Sequence, residues 1–262
     1  MNLIEHPDRL IPAARKAKIR NAIETVGFVS ASELAVRLNS SLSTVRRDLI
    51  ELENEGFIVR TRGGGQSTPN LVLSAAATSR APQHSDEKAR IAQKAVEFIA
   101  EAGCIVLDAG TTTLTVARHL YPQRPLRVIT DGIEIAYELR DRENVTVYVC
   151  GGILHPLSYN LCGGIGEQML ENMHAQICVM GAVGIGVKAG LTKHDVEAFP
   201  IKKRMIDISH QLICVLDSSK INVTGLYSVC PIDRVDVVIT DSGIHKDSQT
   251  TLEAAGCKVI TV

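Results

Sequence analysis

The chain has 262 residues, 45% of them apolar and 22% charged, with a net charge of −1. That length suits one domain of ordinary size plus a small one. No apolar run approaches the roughly 20 residues that a membrane-spanning helix needs, and MNLIEHPDRLIPAARK lacks the apolar stretch and cleavage site of a secretory leader, so a cytoplasmic protein is expected. The seven cysteines form no CxxC pair and read as free thiols in a reducing compartment rather than disulfides. The histidines show no HxxxH or HExxH spacing, so no metal and no cofactor are expected. Aromatic residues make up only 3%, which argues against a stacking platform for single-stranded nucleic acid.

In chain order, residues 13–26, AARKAKIRNAIETV, have helical spacing through Ala17, Ile19, Ala22, Ile23 and Val26, and Gly27 stops them. GFVS is expected to be a turn into a short helix, ASELAVRLN, capped by Ser30 or Ser32, with Leu34, Ala35 and Leu38 facing inward. Asn39 and Ser40 turn the chain into a second helix with Ser41 as its N-cap. At 3.6 residues per turn, Leu42, Val45, Leu49 and Leu52 form a core-facing stripe. Arg47 then points away from the core, with Ser43 beside it and Thr44 and Arg46 on its flanks. Hydroxyls and guanidinium groups are the donors that suit phosphates and base edges. The plainer alternative is that Arg47 pairs with Glu51 one turn later.

Two short helices with an outward cationic second helix make a helix-turn-helix. FIVRTR and the three glycines after it read as a strand and the tip of a β-wing, from which Arg60 and Arg62 can reach a phosphate backbone or minor groove. Between residues 9 and 47 there are eight basic residues and two acidic ones, Glu24 and Glu33, although the whole chain is slightly acidic. A positive footprint of this kind marks nucleic-acid binding. The expected DNA contacts are Ser41, Ser43, Thr44, Arg46, Arg47, Lys18, Arg60 and Arg62, with Lys18 and Arg62 serving phosphates rather than bases.

Residues 18–66 resemble the N-terminal domain of the DeoR family of bacterial transcription regulators, through ELAVRLNSSLSTVRRDLIELENEGFIVRTRGGG and its TVRRDL, LExxG and glycine motifs. Ser40 departs from the family, which usually has an apolar residue at this turn. The change bears on the packing of the turn and leaves the outward face as it is.

After the glycines, QSTPNLVLSAAATSRAPQHS reads as the return of the wing and a linker. The expected domains are a winged helix-turn-helix over 1–66, a wing return and linker over 67–85, and an α/β effector and oligomerisation domain over 86–262. Strand-length apolar runs occur at 104–108, 126–130, 145–150, 176–183, 211–217, 235–240 and 257–262. Helical stretches separate most of them, at 86–101, 112–120, 132–140, 165–173, 196–210 and 246–254. Continuous apolar strands alternating with helices imply a mostly parallel sheet covered on both faces.

Ligands bind beyond the carboxyl ends of such strands. There the sequence collects Asp108, Gly110, Thr111, Thr112 and Thr113 in DAGTTT, then Thr130, Asp131 and Gly132, then Gly151 and Gly152, and DSSK with Lys220. AGLTKHDVEAFPIKK adds Gly190, Leu191, Thr192, Glu197 and Lys202. Hydroxyls, a few lysines and carboxylates, and a strand-to-helix turn rich in backbone N–H groups suit a small polar anion such as a phosphorylated sugar.

The DeoR resemblance extends over nearly the whole chain through DAGTTT, ITDG, CGG, GLT with EAFPIKKRMI, and VLDSSK. It implies a sugar-phosphate sensor domain similar in fold to ribose-phosphate isomerase, in a regulator that is most often a repressor of a carbohydrate-use operon and acts as a homodimer or homotetramer. It further implies that Asp108, Gly110, Thr111, Thr112, Thr130, Gly152, Glu197 and Lys220 line the effector pocket. Asp131 stands where the family usually has asparagine. Because a carboxylate repels phosphate, Asp131 is expected to face sugar hydroxyls, or the effector differs. Lys203 reads as a plain helix-surface charge. The competing class is a sugar-phosphate isomerase-like enzyme, with Glu197 or Asp108 as base and Lys220 as electrostatic stabiliser. A dedicated DNA reader would be unexplained on such an enzyme, so a regulator with no catalytic residues is the expectation.

Overall fold

The structure, a computed structural model, describes residues 12–26, 28–54, 58–61, 63–67, 84–155 and 158–262. The chain divides into two compact units, Met1–Thr78 and Ser79–Val262.

In the first unit, Pro12 opens α1 (Pro12–Val26), a first-turn position where its missing N–H costs nothing. Ser30 caps α2 (Ala31–Arg37), its hydroxyl accepting from the Glu33 N–H at 3.1 Å. Ser41 caps α3 (Leu42–Asn54) in the same way through the Thr44 N–H, also at 3.1 Å. Asn39 makes the intervening turn with a positive φ of 46°. The Ser40 hydroxyl donates to the Leu38 carbonyl at 3.1 Å, which gives a polar residue a partner at this half-buried turn. Ile19, Ile23, Leu34, Val45, Leu49, Leu52 and Ile58 form the core.

Three expectations need correction. Leu42 is 38% exposed, because the first turn of α3 projects past the core that Val45 reaches. Residues 28–30 are a strand, β1 (Phe28–Ser30), rather than a turn. It pairs with β3 (Gly64–Ser67), which pairs in turn with β2 (Ile58–Thr61), giving an antiparallel sheet in the order β1-β3-β2. The glycines are therefore more than a wing tip. Gly63 makes the turn with φ 108°, but Gly64 and Gly65 lie inside β3. A Cβ on Gly64 would sit 2.2 Å from the Val29 carbonyl oxygen, and one on Gly65 would sit 2.7 Å from Ile23 Cδ1. Their small size lets the wing close onto the helices.

The second unit is built on a seven-stranded, wholly parallel sheet. Its strands are β4 (Cys104–Leu107), β5 (Leu126–Thr130), β6 (Val145–Val149), β9 (Ala175–Gly181), β12 (Ser209–Val215), β14 (Val237–Thr240) and β15 (Lys258–Thr261). The spatial order is β15-β14-β12-β9-β4-β5-β6. Successive strand residues serve opposite faces. Ile105, Leu107, Ile177 and Val179 pack with α4 (Ser85–Ile99), α5 (Thr111–His119) and α6 (Ile133–Leu139). Val106, Cys178 and Met180 pack on the other face with α7 (Gly164–Leu170), α8 (Phe199–Asp207) and α9 (Lys246–Ala254). The expected helix over 196–210 is instead a short 3-10 turn at Val196–Ala198 followed by α8, and β12 already begins at Ser209.

The chain also forms two small sheets that apolar runs did not announce. One is the hairpin of β7 (Ile153–Leu154) and β8 (Leu161–Cys162). The other joins β10 (Gly184–Gly186), β11 (Gly190–Lys193) and β13 (Tyr227–Cys230) in antiparallel order. From β4 the chain runs outward to β5 and β6, then returns to β4's other side at β9. That reversal is the switch point at which parallel sheets open a crevice, and Asp108 stands at its mouth.

Candidate functional site

On the first unit, α3 presents Ser43, Arg46 and Arg47 to solvent, with Thr44 half-buried beside them. Neither arginine forms an ion pair among the described residues. Glu51, the alternative partner for Arg47, is taken by Lys16 at 3.1 Å. The inward neighbour of Arg47 is Asp48, buried and held by Arg15 through two contacts, 2.6 and 3.1 Å, that tie α1 to α3. This carboxylate also raises the pKa of Arg15. The positive footprint is accordingly smaller than the sequence count, because Arg15, Lys16 and Arg37 have carboxylate partners within the unit. Lys18 is exposed, while Arg60 reaches Glu53 at 3.6 Å. The Ser41 hydroxyl is engaged in capping and in contacts with Ser43 and Thr44. Arg62 lies outside the described residues.

In the second unit, the crevice is organised by four buried charges. The Asp108 N–H donates to the Val179 carbonyl across the β4–β9 gap, and its Oδ2 accepts from the Gly181 N–H at 3.1 Å. The same oxygen meets Lys193 Nζ at 2.6 Å, and Oδ1 meets Lys202 Nζ at 2.5 Å. Lys202 also bonds Asp131 Oδ2, while Asp131 Oδ1 accepts from the Ala109 N–H at 3.0 Å. Two carboxylates and two ammonium groups cancel. Burial works against the charge on Asp108, yet it is overcome there, the pKa being held down by the two lysines. Burial is likewise overcome at Lys202, whose pKa is raised by Asp108 and Asp131. It prevails at Lys193, whose pKa is lowered despite Asp108.

Lys202, collected with the strand-end residues, is buried, with only 2% of its side chain exposed. One reading is overturned. Asp131 is fully buried and bound to Lys202, so its carboxylate is neutralised within the protein and does not face outward to sugar hydroxyls. Lys203 is the surface charge expected, paired with Asp207 at 3.0 Å. Lys193 was missed. A lysine ending a four-residue strand has no mark in sequence that separates it from a solvated one.

The remaining residues divide into supporting and open groups. Thr113 is buried and donates to the Gly110 carbonyl, and the Thr130 hydroxyl accepts from the Gly132 N–H. Gly152 has φ 133° and passes so close to Cys162 that a Cβ would lie 2.3 Å from its carbonyl oxygen. All three shape the loops from within. Gly110 and Thr111 open α5, which has no side-chain cap, so its first N–H groups are available, with Thr112 buried behind them. Lys220 Nζ lies 3.1 Å from Asp217 and retains 17% side-chain exposure. Asp241 joins the neighbouring loops through the Ser218 N–H and hydroxyl and the Gly243 N–H. Glu197 is exposed and comes together with His155 and Asp195, their ligand-type atoms all within 4.8 Å of one another. Among the described residues this is the grouping able to hold a cation, a convergence invisible in the spacing of the histidines.

A winged helix-turn-helix joined to an α/β unit with a polar crevice at the switch point defines a ligand-responsive transcription regulator. Residues 15–69 match the DeoR-like helix-turn-helix domain, and residues 83–242 match the DeoR C terminal sensor domain. The HTH-type transcriptional regulator GolR of Listeria innocua is 31% identical over 250 residues, covering 95% of this chain and 98% of GolR. A putative aga operon transcriptional repressor of Escherichia coli O157:H7 is 31% identical over 252 residues, covering 95% of this chain and 93% of that protein. The chain belongs to the DeoR family of transcription regulators. Ribose 5-phosphate isomerase A from Neisseria gonorrhoeae aligns over 54% of this chain and 55% of its own, with 20% identity and a TM-score of 0.39, and no activity is carried over from it. No helix among the described residues is long and apolar enough to cross a membrane.

Proposed function

We propose that the protein is a cytoplasmic repressor of a carbohydrate-use operon that leaves its operator when a phosphorylated sugar enters the crevice of the second unit. It works without a cofactor or catalysis and as a homodimer or homotetramer, which pairs two readers on successive half-sites. The observation that carries the reading is the crevice itself. An uncapped helix N-terminus at Thr111 and the partly exposed Lys220 supply the two features that attract an anion. The buried quartet of Asp108, Asp131, Lys193 and Lys202 is already balanced and acts as scaffold. The same balance disfavours the enzyme alternative. A carboxylate whose pKa is held down by two lysines is a poor general base, so Asp108 is not suited to proton abstraction.

The test is operator affinity titrated with hexose and pentose monophosphates, with the unphosphorylated sugars as controls. Wild type should lose operator affinity only with a phosphosugar. Lys220→Ala should bind operator normally and fail to respond. A variant that responds like wild type removes Lys220 from the site, and turnover of a phosphosugar by wild type would establish the enzyme instead.

A further inference from the structure

Among the described residues, four buried side-chain oxygens find no hydrogen-bond partner: Asp108 Oδ1, Asp195 Oδ1, the Tyr227 hydroxyl and Thr240 Oγ1. Asp108 Oδ1 has its ion pair with Lys202. Asp195 and Tyr227 have no such compensation at these atoms, and both belong to the small-sheet side of the crevice. Leaving a buried polar atom unpaired costs about as much as losing a hydrogen bond, and native proteins keep few of them.

The backbone fixes where the two groups point. Tyr227 of β13 stands directly opposite Lys193 of β11. Directly opposed residues project from the same face of a ladder, and Lys193 projects to Asp108. Tyr227 therefore projects into the same crevice. Its ring meets Phe199 edge-on, with centroids 5.4 Å apart, and Lys202 lies three residues further along α8 on the same side. Asp195 follows Lys193 by two residues. Its Oδ2 is held by the Ser158 hydroxyl at 2.8 Å and by Asn160 Nδ2 at 3.2 Å, which leaves Oδ1 over. Burial pushes the Tyr227 pKa up, and the carboxylates of Asp108, Asp195 and Asp131 add to this against the pull of Lys202. The phenol thus stays protonated and able to donate.

We propose that Tyr227 and Asp195 are the hydroxyl-reading pair of the sensor, contacting hydroxyl groups of a polyhydroxylated ligand so that the crevice selects a carbohydrate over a bare anion. The inference rests on the phosphosugar reading above and assigns the sugar-selecting contacts within it. Tyr227 donates to a ligand oxygen, and Asp195 Oδ1 accepts from a ligand hydroxyl.

The discriminating variant is Tyr227→Phe in the full chain, compared with wild type by thermal melting and by operator affinity. The titrants are ribose 5-phosphate, glucose 6-phosphate, fructose 6-phosphate and inorganic phosphate. Without ligand, the variant should melt at the wild-type temperature or above it, since the hydroxyl removed has no partner in the free protein. For the phosphosugar that acts on wild type, the half-effective concentration should rise roughly three- to ten-fold, the loss expected for one hydrogen bond. The midpoint for inorganic phosphate should not move. A phosphosugar midpoint within two-fold of wild type would overturn the inference while leaving the regulator reading intact. So would a lower melting temperature or failure to fold, because the hydroxyl would then have a structural role. Silence of wild type towards every phosphosugar would instead sink the phosphosugar reading, and this inference with it.

Discussion

Lys202 is charged in a place where an isolated ammonium group would not be, with Asp108 on one side and Asp131 on the other. Desolvation of a single buried ion costs several kcal/mol, and only close opposite charges with good hydrogen bonds offset it. The second carboxylate in this arrangement is Asp131, whose charge is met, among the described residues, by Lys202 alone. Asp131→Asn keeps one acceptor oxygen, which serves either Lys202 or the Ala109 N–H but not both, and makes the quartet one unit more positive. Two opposite effects follow. The free protein should lose about 1–3 kcal/mol of stability, the range for a buried hydrogen-bonded charge whose partner is neutralised. The half-effective concentration of an anionic effector should fall, because the surplus charge is met by the ligand. Chemical denaturation and the phosphosugar titration, run on both proteins, check the two directions. Tighter binding with no loss of stability, or the reverse, would show that the carboxylate is not part of a balanced quartet.

At the scale of elements, α3 divides its labour by face. Val45, Leu49 and Leu52 fill the core, Asp48 anchors α1 through Arg15, and Arg46 and Arg47 are left exposed. Arg47→Ala should weaken specific operator binding by roughly 1–3 kcal/mol if it reads a base, and the preference at that base position should relax. Lys18→Ala should lower affinity for all sequences alike and flatten the salt dependence. Unchanged operator affinity for the Arg47 variant at matched salt would remove α3 as the reader. This face was legible in sequence because helical period and burial are local. The strands of the parallel sheet were legible for a similar reason, since being covered on both faces forces continuous apolar runs. The short strands β10, β11 and β13 gave no such run, as GIG and GLTK depend on tertiary packing rather than propensity. The strand-end positions of these polar residues were legible in sequence, but their pairing was not. Lys202 meets a carboxylate 71 residues away and Lys193 one 85 residues away, and no local pattern carries such contacts.

For the molecule as a whole, the two units need a thermodynamic link whatever path it takes. An effector can change operator affinity only by binding the DNA-free and DNA-bound proteins unequally. The coupling is reciprocal, so operator DNA must weaken effector binding by the same factor by which the effector weakens operator binding, commonly about 5- to 150-fold. Reciprocity holds wherever the ligand binds, so variants decide between regulation through the sensor and competition at the DNA surface. The chain's net charge of −1 gives no general attraction for DNA, so an anionic ligand could imitate induction merely by occupying Arg46 and Arg47. In that case Lys220→Ala, whose change lies in the sensor unit, would leave the response intact, whereas Arg47→Ala would diminish it. If the sensor governs release, calorimetric titration of the phosphosugar into protein alone and into the saturated operator complex should give dissociation constants in the ratio found for operator with and without effector. That ratio should fall to one in Lys220→Ala. A ratio that stays at the wild-type value in Lys220→Ala would mean that the ligand acts elsewhere and that the crevice is not the switch.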